Sequence, residues 1–384
     1  MIRQTTLRET FSRLPHAICA FWLLTLFITA PAFGQQQIHQ LSYNGSTWAD
    51  QDLNGAPAEQ WAISAFFTTP NDQFHVFYGA QESADLHQLF YNGSNWADLD
   101  LNQAVGLRTY CGIAGFSESN FQYVFYVGSD AALHQMLYNN AGWVDTNLTV
   151  ASGTTNLPES NLVAFTTSPA LHVYYVSQDS HVHQLFATNG TNWQDQDLTA
   201  ATGGPFACQC LNIAGFNVGN FQYVYYTDLY TNHIHQLFYN NVSWSDEDLT
   251  ALTKSPPADY LPAMSAFVIP GTKKMRVYFV SGKNGHILQL ASTNNGKWSS
   301  ADLTKKANGS VPNRQMVAFP DATGGKVNVY YVVDHDVNRI YQPTATTWAN
   351  EDLTALTNGG SADSFDQIAG FSVNNNLYLY YVVD

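Results

Sequence analysis

Seven tryptophans recur along this chain at a nearly constant interval: Trp48, Trp96, Trp143, Trp193, Trp244, Trp298 and Trp348, spaced 48, 47, 50, 51, 54 and 50 residues apart. Each opens a phrase of the form W-x-(D/N/S)-x-(D/N)-L, from Trp48-Ala-Asp50-Gln-Asp52-Leu53 to Trp348-Ala-Asn350-Glu-Asp352-Leu353. A period near 50, sustained to the end of the chain, specifies a repeat architecture and leaves little room for any other fold. Chemistry built into such a repeat occurs several times around one molecule, which favours binding over catalysis.

Within each period, four short segments alternate apolar and polar residues and are separated by Gly, Asn, Asp or Ser turns, the signature of strands. The first has small residues before a phenylalanine (Ile113-Ala-Gly-Phe116, Ile368-Ala-Gly-Phe371), and the second is β-branched and aromatic (His172-Val-Tyr-Tyr-Val176). The third holds His-Gln-Leu or a variant (Leu86-His-Gln-Leu-Phe-Tyr91), and the fourth starts at the repeat tryptophan. No helical periodicity is visible outside the N-terminal leader. Four antiparallel strands per unit of about 50 residues describe a β-propeller blade. After the leader the chain starts with a third and a fourth segment and finishes with a first and a second. The expectation is an all-β, seven-bladed β-propeller over residues 35–384, its ring closed by one composite blade from both ends of the chain. Such closure removes the free sheet edges.

Residues 1–34 fall outside the repeat. Arg3, Arg8 and Arg13 precede the apolar run Ala17–Ala30, and small residues follow at Ala32 and Gly34, which reads as a secretory signal peptide and a secreted protein, extracellular or periplasmic. Without them the chain has 12 basic and 29 acidic residues, a formal charge of −17. That balance argues against nucleic acid, which needs a basic footprint, and no other apolar segment is long enough for membrane insertion. Cys111, Cys208 and Cys210 remain, an odd count, read first as buried free thiols and second as a Cys208–Cys210 bridge.

A glutamine recurs in the third segment: Gln40, Gln88, Gln135, Gln184, Gln236, Gln289 and Gln342. Histidine precedes five of them, and Leu288 and Tyr341 replace it in the others. Glutamine offers two donors and an acceptor, which suits sugar hydroxyls, and equally suits stitching neighbouring blades together. About 12 residues earlier, where the second segment begins, stand His75, Tyr123, His172, Tyr223, Arg276, Asn328 and Tyr378. With the repeat tryptophans these could line pockets on or between blades, because sugar sites pair an aromatic face with a few polar groups. The candidate ligand-binding sets are Arg276, Gln289, Trp298; His75, Gln88, Trp96; and His172, Gln184, Trp193, with Gln40 and Tyr378 beside them. The aspartate pairs after each tryptophan read as solvated strand-end carboxylates rather than a calcium loop, which needs a glycine turn and further carboxylates. No metal, cofactor, nucleophile motif or paired catalytic carboxylates are expected, and a glycoside hydrolase is the weaker alternative.

The run Arg276-Val-Tyr-Phe279, then His286-Ile-Leu-Gln289, then Trp298, resembles the blades of the fungal-type fucose-specific lectins, and the count of seven resembles their seven-bladed bacterial relatives. The resemblance covers about residues 37 to 384. It implies a propeller that binds sugar between adjacent blades and has glycans as partners. In that family an arginine and a glutamate grip the sugar; here Arg276 alone matches the arginine, and glutamine stands for the glutamate. The function expected is a multivalent, lectin-like carbohydrate-binding protein, fucose-type sugars included, with a structural or protein-interaction propeller as the alternative.

Overall fold

A computed structural model describes residues 36–383, except 69–72, 81–84, 103–108, 210–212, 261–262, 314, 345 and 364–366, and describes no side chains at 59–61 and 109–111. The expected leader, residues 1–34, lies outside the described residues. The propeller occupies the unit Gln36–Asp384.

Seven four-stranded antiparallel sheets form, one per period. Numbered along the chain, blade 3 is representative: inner strand Val163–Thr167, second strand Ala170–Val176, third strand Val182–Ala187 and outer strand Trp193–Asp197. Blade 7 is the composite. Its inner strands, Ala369–Val373 and Asn376–Val383, come from the end of the chain, and its outer two, Gln37–Tyr43 and Trp48–Asp52, from the beginning. The joint is a full ladder running from Gln37 opposite Val383 to Tyr43 opposite Leu377. The seven inner strands neighbour one another in a closed circle.

The core consists of seven clusters, one at each interface between neighbouring blades, which explains the aromatic richness of the chain. Near the axis the blades crowd, and this is why glycine occupies the inner strands. A Cβ on Gly115 would meet the Phe66 ring of the preceding blade at 2.8 Å, and one on Gly370 would meet Phe319 at 2.6 Å. Inner strands are also stitched directly: the Ser265 hydroxyl accepts from the Ala318 amide at 3.0 Å and donates to the Ala318 carbonyl at 3.1 Å.

Among the described residues, five helices of five residues follow the outer strands of blades 2 to 6: Leu148–Ser152, Leu198–Thr202, Leu249–Thr253, Leu303–Ala307 and Leu353–Thr357. At five residues none is long enough to show a 3.6-residue period, so periodicity could not reveal them. Each is written by an Asx-Leu-Thr triplet. Asn147, Asp197, Asp248, Asp302 or Asp352 caps the first turn by accepting an amide hydrogen bond, which contributes about 1 kcal/mol. The leucine is fully buried. The threonine hydroxyl accepts from the amide at the start of the third strand, at 2.8–2.9 Å in all five. Among the described residues, no helix is long and apolar enough to cross a membrane.

The expectation of free thiols fails at Cys208, which is in a disulfide. The Asn-x-x hairpins between third and outer strands are local turns, as at Asn44, whose side-chain oxygen accepts from the Ser46 and Thr47 amides at 3.0 and 2.9 Å.

Candidate functional site between blades

Strand register decides which sequence candidates can meet. In blade 5, Trp298 lies opposite Ser292, three positions from Gln289. Opposed residues share a face and successive residues alternate, so the tryptophan and glutamine of one blade point to opposite faces. The same offset holds in blades 1, 3 and 7, where Trp96, Trp193 and Trp48 oppose Tyr91, Ala187 and Tyr43. The glutamine faces the following blade and the tryptophan the preceding one. Thus Trp96 packs edge-on against Tyr380 of blade 7, Trp193 against Phe125 of blade 2 and Trp298 against Tyr225 of blade 4. The sets drawn up from the sequence are therefore split. His75 and Gln88 come together with Trp143 of blade 2, not with Trp96.

Between blades 1 and 2 they line a cleft of about 340 Å³, within the range of small-ligand sites of about 300–1,000 Å³. Phe90, Tyr138 and Trp143 supply rings, and Gln88, Asn120, Gln122 and Asn140 supply amides. No described lining residue carries a charge at neutral pH. The hydrogen-bond directions are determined by the donors. Gln88 Nε2 donates to His75 Nδ1 at 2.8 Å, so the imidazole proton sits on Nε2, which faces the Thr68 hydroxyl at 3.2 Å. The second N–H of Gln88 donates to Gln122 Oε1, at 3.0 Å across the interface. With both donors used, Gln88 offers a ligand its carbonyl oxygen, and Gln122 offers its amide N–H beside it. A sugar hydroxyl, donor and acceptor at once, fits such a pair.

The same network recurs two interfaces further on. Thr167 Oγ1 lies 2.7 Å from His172 Nε2, and the two N–H groups of Gln184 Nε2 are shared among His172 Nδ1 at 2.6 Å, the Tyr174 hydroxyl at 2.9 Å and Gln222 Oε1 of blade 4 at 3.1 Å. Trp244 stands edge-on to Tyr174 in this interface.

Burial pushes both imidazoles down, His75 and His172 each to about 4, so both are neutral near pH 7. The unfolded chain protonates them near 6.5, so their contribution to stability is complete above that pH and is lost as pH falls from 6.5 toward 4. Each is expected to cost about 3 kcal/mol by pH 4. His87, His134 and His235 act in the opposite sense: burial alone would lower them, but the hydrogen bond and charge of their aspartates outweigh it and raise them. The contribution of His75 and His172 is isolated by comparing wild type with His75→Gln/His172→Gln in urea melts from pH 7 to 4. The variant is expected to show the shallower loss, and parallel curves for the two proteins would refute the assignment.

The remaining candidates are engaged within their own interfaces. Arg276 is turned onto backbone, its Nη1 donating to the Met275 and Ser292 carbonyls at 2.8 and 3.0 Å, while Gln289 donates to the Tyr278 hydroxyl at 2.7 Å. Gln40 donates to the Tyr380 hydroxyl at 2.9 Å, and Tyr378 is covered by Phe74 at 4.7 Å between ring centroids.

The glutamine series breaks in blade 6. The third strand there, Asp336–Tyr341, pairs Arg339 with Tyr330, the position that Gln289 takes opposite Tyr278. Gln342 falls three residues further on, beyond the strand, and Asn338 rather than Tyr341 takes the histidine position. Arg339 is buried, forms an ion pair with Glu351 and lies over the rings of Tyr341 and Trp48 at 4.0 and 5.0 Å. Trp48 Nε1 donates to the same Glu351 oxygen at 3.2 Å.

The aspartate pairs are not merely solvated. The first member accepts from the third-strand histidine, as in Asp50–His39 at 2.8 Å and Asp145–His134 at 2.9 Å, and from a second-strand tyrosine, as in Tyr381–Asp50 at 2.8 Å. The second member caps the helix in blades 3 to 6. These carboxylates serve the architecture, the first members as acceptors for buried histidines and tyrosines and the second as helix caps.

Gln122, Gln222, Thr68 and Thr167 were missed by the sequence reading. The signal was present as a double period: Asn120-Phe-Gln-Tyr-Val124 and Asn220-Phe-Gln-Tyr-Val224 stand 100 residues apart, each one blade after a histidine blade. A single-blade alignment averages this alternation away.

No family model and no curated protein matches the chain. Solved structures do. An arginine-to-alanine triple mutant of AofleA from Arthrobotrys oligospora aligns with 90% of this chain and 93% of its own at 15% identity, TM-score 0.57. Aleuria aurantia lectin with α-methyl-L-fucoside aligns with 77% of this chain and 96% of its own at 16% identity, TM-score 0.52. The SapL1 lectin with α-methyl fucoside gives 15% identity over the same shares, TM-score 0.50. The chain shares the β-propeller fold of these structures. At such identities the likeness is one of fold. The Aleuria propeller is six-bladed, and the propeller of this chain has seven blades.

Proposed function

We propose that this chain is a secreted, non-enzymatic, multivalent carbohydrate-binding protein that takes neutral, fucose-type sugars in the cleft between blades 1 and 2 and at the matching hydrogen-bond network between blades 3 and 4. The observation that carries the reading is the cleft walled by Phe90, Tyr138 and Trp143, whose polar groups are amides, hydroxyls and an imidazole held uncharged. Aromatic faces take the C–H side of a pyranose, and the Gln88–Gln122 pair takes a hydroxyl. The bound α-methyl fucosides of Aleuria aurantia lectin and SapL1 support the sugar class. Export rests on the leader at residues 1–34. The repeat carboxylates are committed to histidines, tyrosines and helix caps, which supports binding rather than hydrolysis. Individual clefts of this size bind weakly, and avidity on a glycan-coated surface multiplies them.

A glycan array followed by titration of the best monosaccharide tests the reading. Trp143→Ala is expected to weaken binding at the first cleft at least about tenfold, since stacking and burial of one ring contribute about 1–3 kcal/mol. Trp96→Ala is expected to leave that cleft unaffected. A folded protein that binds no glycan on the array, or equal binding by wild type and Trp143→Ala, would refute it and leave the glutamines as inter-blade struts.

A further inference from the structure

We propose that Asp179, His181, His183 and Asp197 of blade 3 form a divalent transition-metal site suited to zinc. One ligand atom from each, two imidazole nitrogens and two carboxylate oxygens, lies within 4.8 Å of all the others. His181 Nδ1 is 2.6 Å from Asp197 Oδ2 and 4.0 Å from Asp179 Oδ2, and His183 Nε2 is 3.4 Å from Asp179 Oδ2. Ligands bonded to zinc at about 2.0–2.2 Å sit roughly 3.3 Å apart in a tetrahedron. To reach that spacing the 2.6 Å pair must open and the wider pairs, up to 4.8 Å, must close, adjustments that the partly exposed His181 and Asp179 can supply.

What distinguishes it from an ordinary histidine–aspartate pair is that three of the four ligands, Asp179, Asp197 and His183, are already oriented through their other atom. Asp179 uses Oδ1 to accept from the Ser177 hydroxyl and from the His181 amide at 3.0 Å, which leaves Oδ2 toward the cluster. Asp197 uses Oδ1 to cap the helix Leu198–Thr202 through the Ala200 amide at 2.8 Å, and again Oδ2 faces inward. His183 is buried, and its Nδ1 is held by Asp195 Oδ1 at 3.0 Å, which directs Nε2 at the site. Asp195 is itself held by the Thr154 hydroxyl at 2.7 Å. This is the carboxylate–histidine–metal arrangement that fixes a ligand tautomer and strengthens its donation. Two imidazoles and two carboxylates match zinc and its first-row neighbours rather than calcium or magnesium, which take oxygen alone.

The other blades show how specific the set is. Blade 4 keeps His233, His235 and Asp248 in the same places, but Thr231 replaces Asp179. Blade 5 keeps only His286 and Asp302, with Leu288 in place of the second histidine. Among the described residues, blade 3 alone completes the set. It lies at the turn between second and third strands, at the opposite strand ends from the clefts, so metal and sugar binding are expected to be independent.

Equilibrium dialysis of the untagged chain against zinc at pH 7 tests the site, with cobalt as a spectroscopic substitute. The expected result is one zinc per chain and the strong visible bands of tetrahedral cobalt. His181→Ala and Asp179→Asn are each expected to weaken binding at least about tenfold with unchanged circular dichroism, since neither side chain is buried, whereas His233→Ala binds as wild type. Less than one zinc per chain, or wild-type affinity in His181→Ala, overturns the proposal. Sugar binding measured with and without a chelator is expected to be equal, so the outcome is separate from that of the cleft.

Discussion

A chain cut after residue 367 is expected to lose cooperative folding. The cut removes Ala369–Val373 and Asn376–Val383, the two inner strands of the composite blade. Leu379, Tyr380 and Tyr381 are fully buried and Val382 nearly so, and burying side chains of this size contributes roughly 1.5–3 kcal/mol each. Their sum alone approaches the 5–15 kcal/mol that holds a typical domain together. The strand Gln37–Tyr43 would also lose its ladder, and the clusters on both sides of blade 7 would open. Thermal melts followed by near-ultraviolet circular dichroism check this: the truncated chain should show no sharp transition, and a peptide of residues 368–384 added in trans should restore part of it. A cooperative melt in the truncated chain without peptide would show that six blades hold without closure.

Glu351→Ala is expected to be the most damaging single substitution at the ring's surface, costing about 3 kcal/mol. It leaves the Arg339 guanidinium buried without its counter-charge, and removing one partner of a buried pair typically costs about 3–5 kcal/mol, with the lower end fitting the partial exposure of Glu351. It also takes away the acceptor of the Trp48 indole. The double substitution Arg339→Gln/Glu351→Gln restores the pattern of the other blades, where a neutral amide faces the second-strand aromatic. It is expected to stay within about 1 kcal/mol of wild type, because replacing both partners avoids the stranded charge. Urea midpoints of the two variants and the wild type decide it, and a neutral Glu351→Ala would mean that solvent already screens the pair.

Much of the architecture was legible because each blade repeats the same local instructions. The tryptophan spacing, four strand patterns per period and the half-blades at the two ends were enough for seven blades and a composite closure. The short helices were not legible as helices, since five residues hold barely more than one turn, although the recurring Asx-Leu-Thr triplet wrote them plainly. In blade 6 pattern matching slipped: Gln342 looked like the seventh glutamine, but hydrogen-bond register puts Arg339 in that place.

The candidate site was half legible. His75, Gln88, His172 and Gln184 were singled out from the chain, and each histidine meets the glutamine of its own blade. Their aromatic partners were assigned to the wrong blade, because a contact across an interface joins residues whose sequence separation carries no periodic signal of its own: Gln88 meets Gln122 and Trp143, not Trp96.

The sequence by itself determined the repeat, the four strands of each blade and the joining of both ends of the chain in one sheet, because these follow from side-chain alternation and turn chemistry within a few residues. Only the tertiary structure decided which faces meet. In blades 1, 3 and 5 antiparallel register turns the third-strand glutamine toward one neighbour and the tryptophan toward the other, and so puts the cleft between two blades.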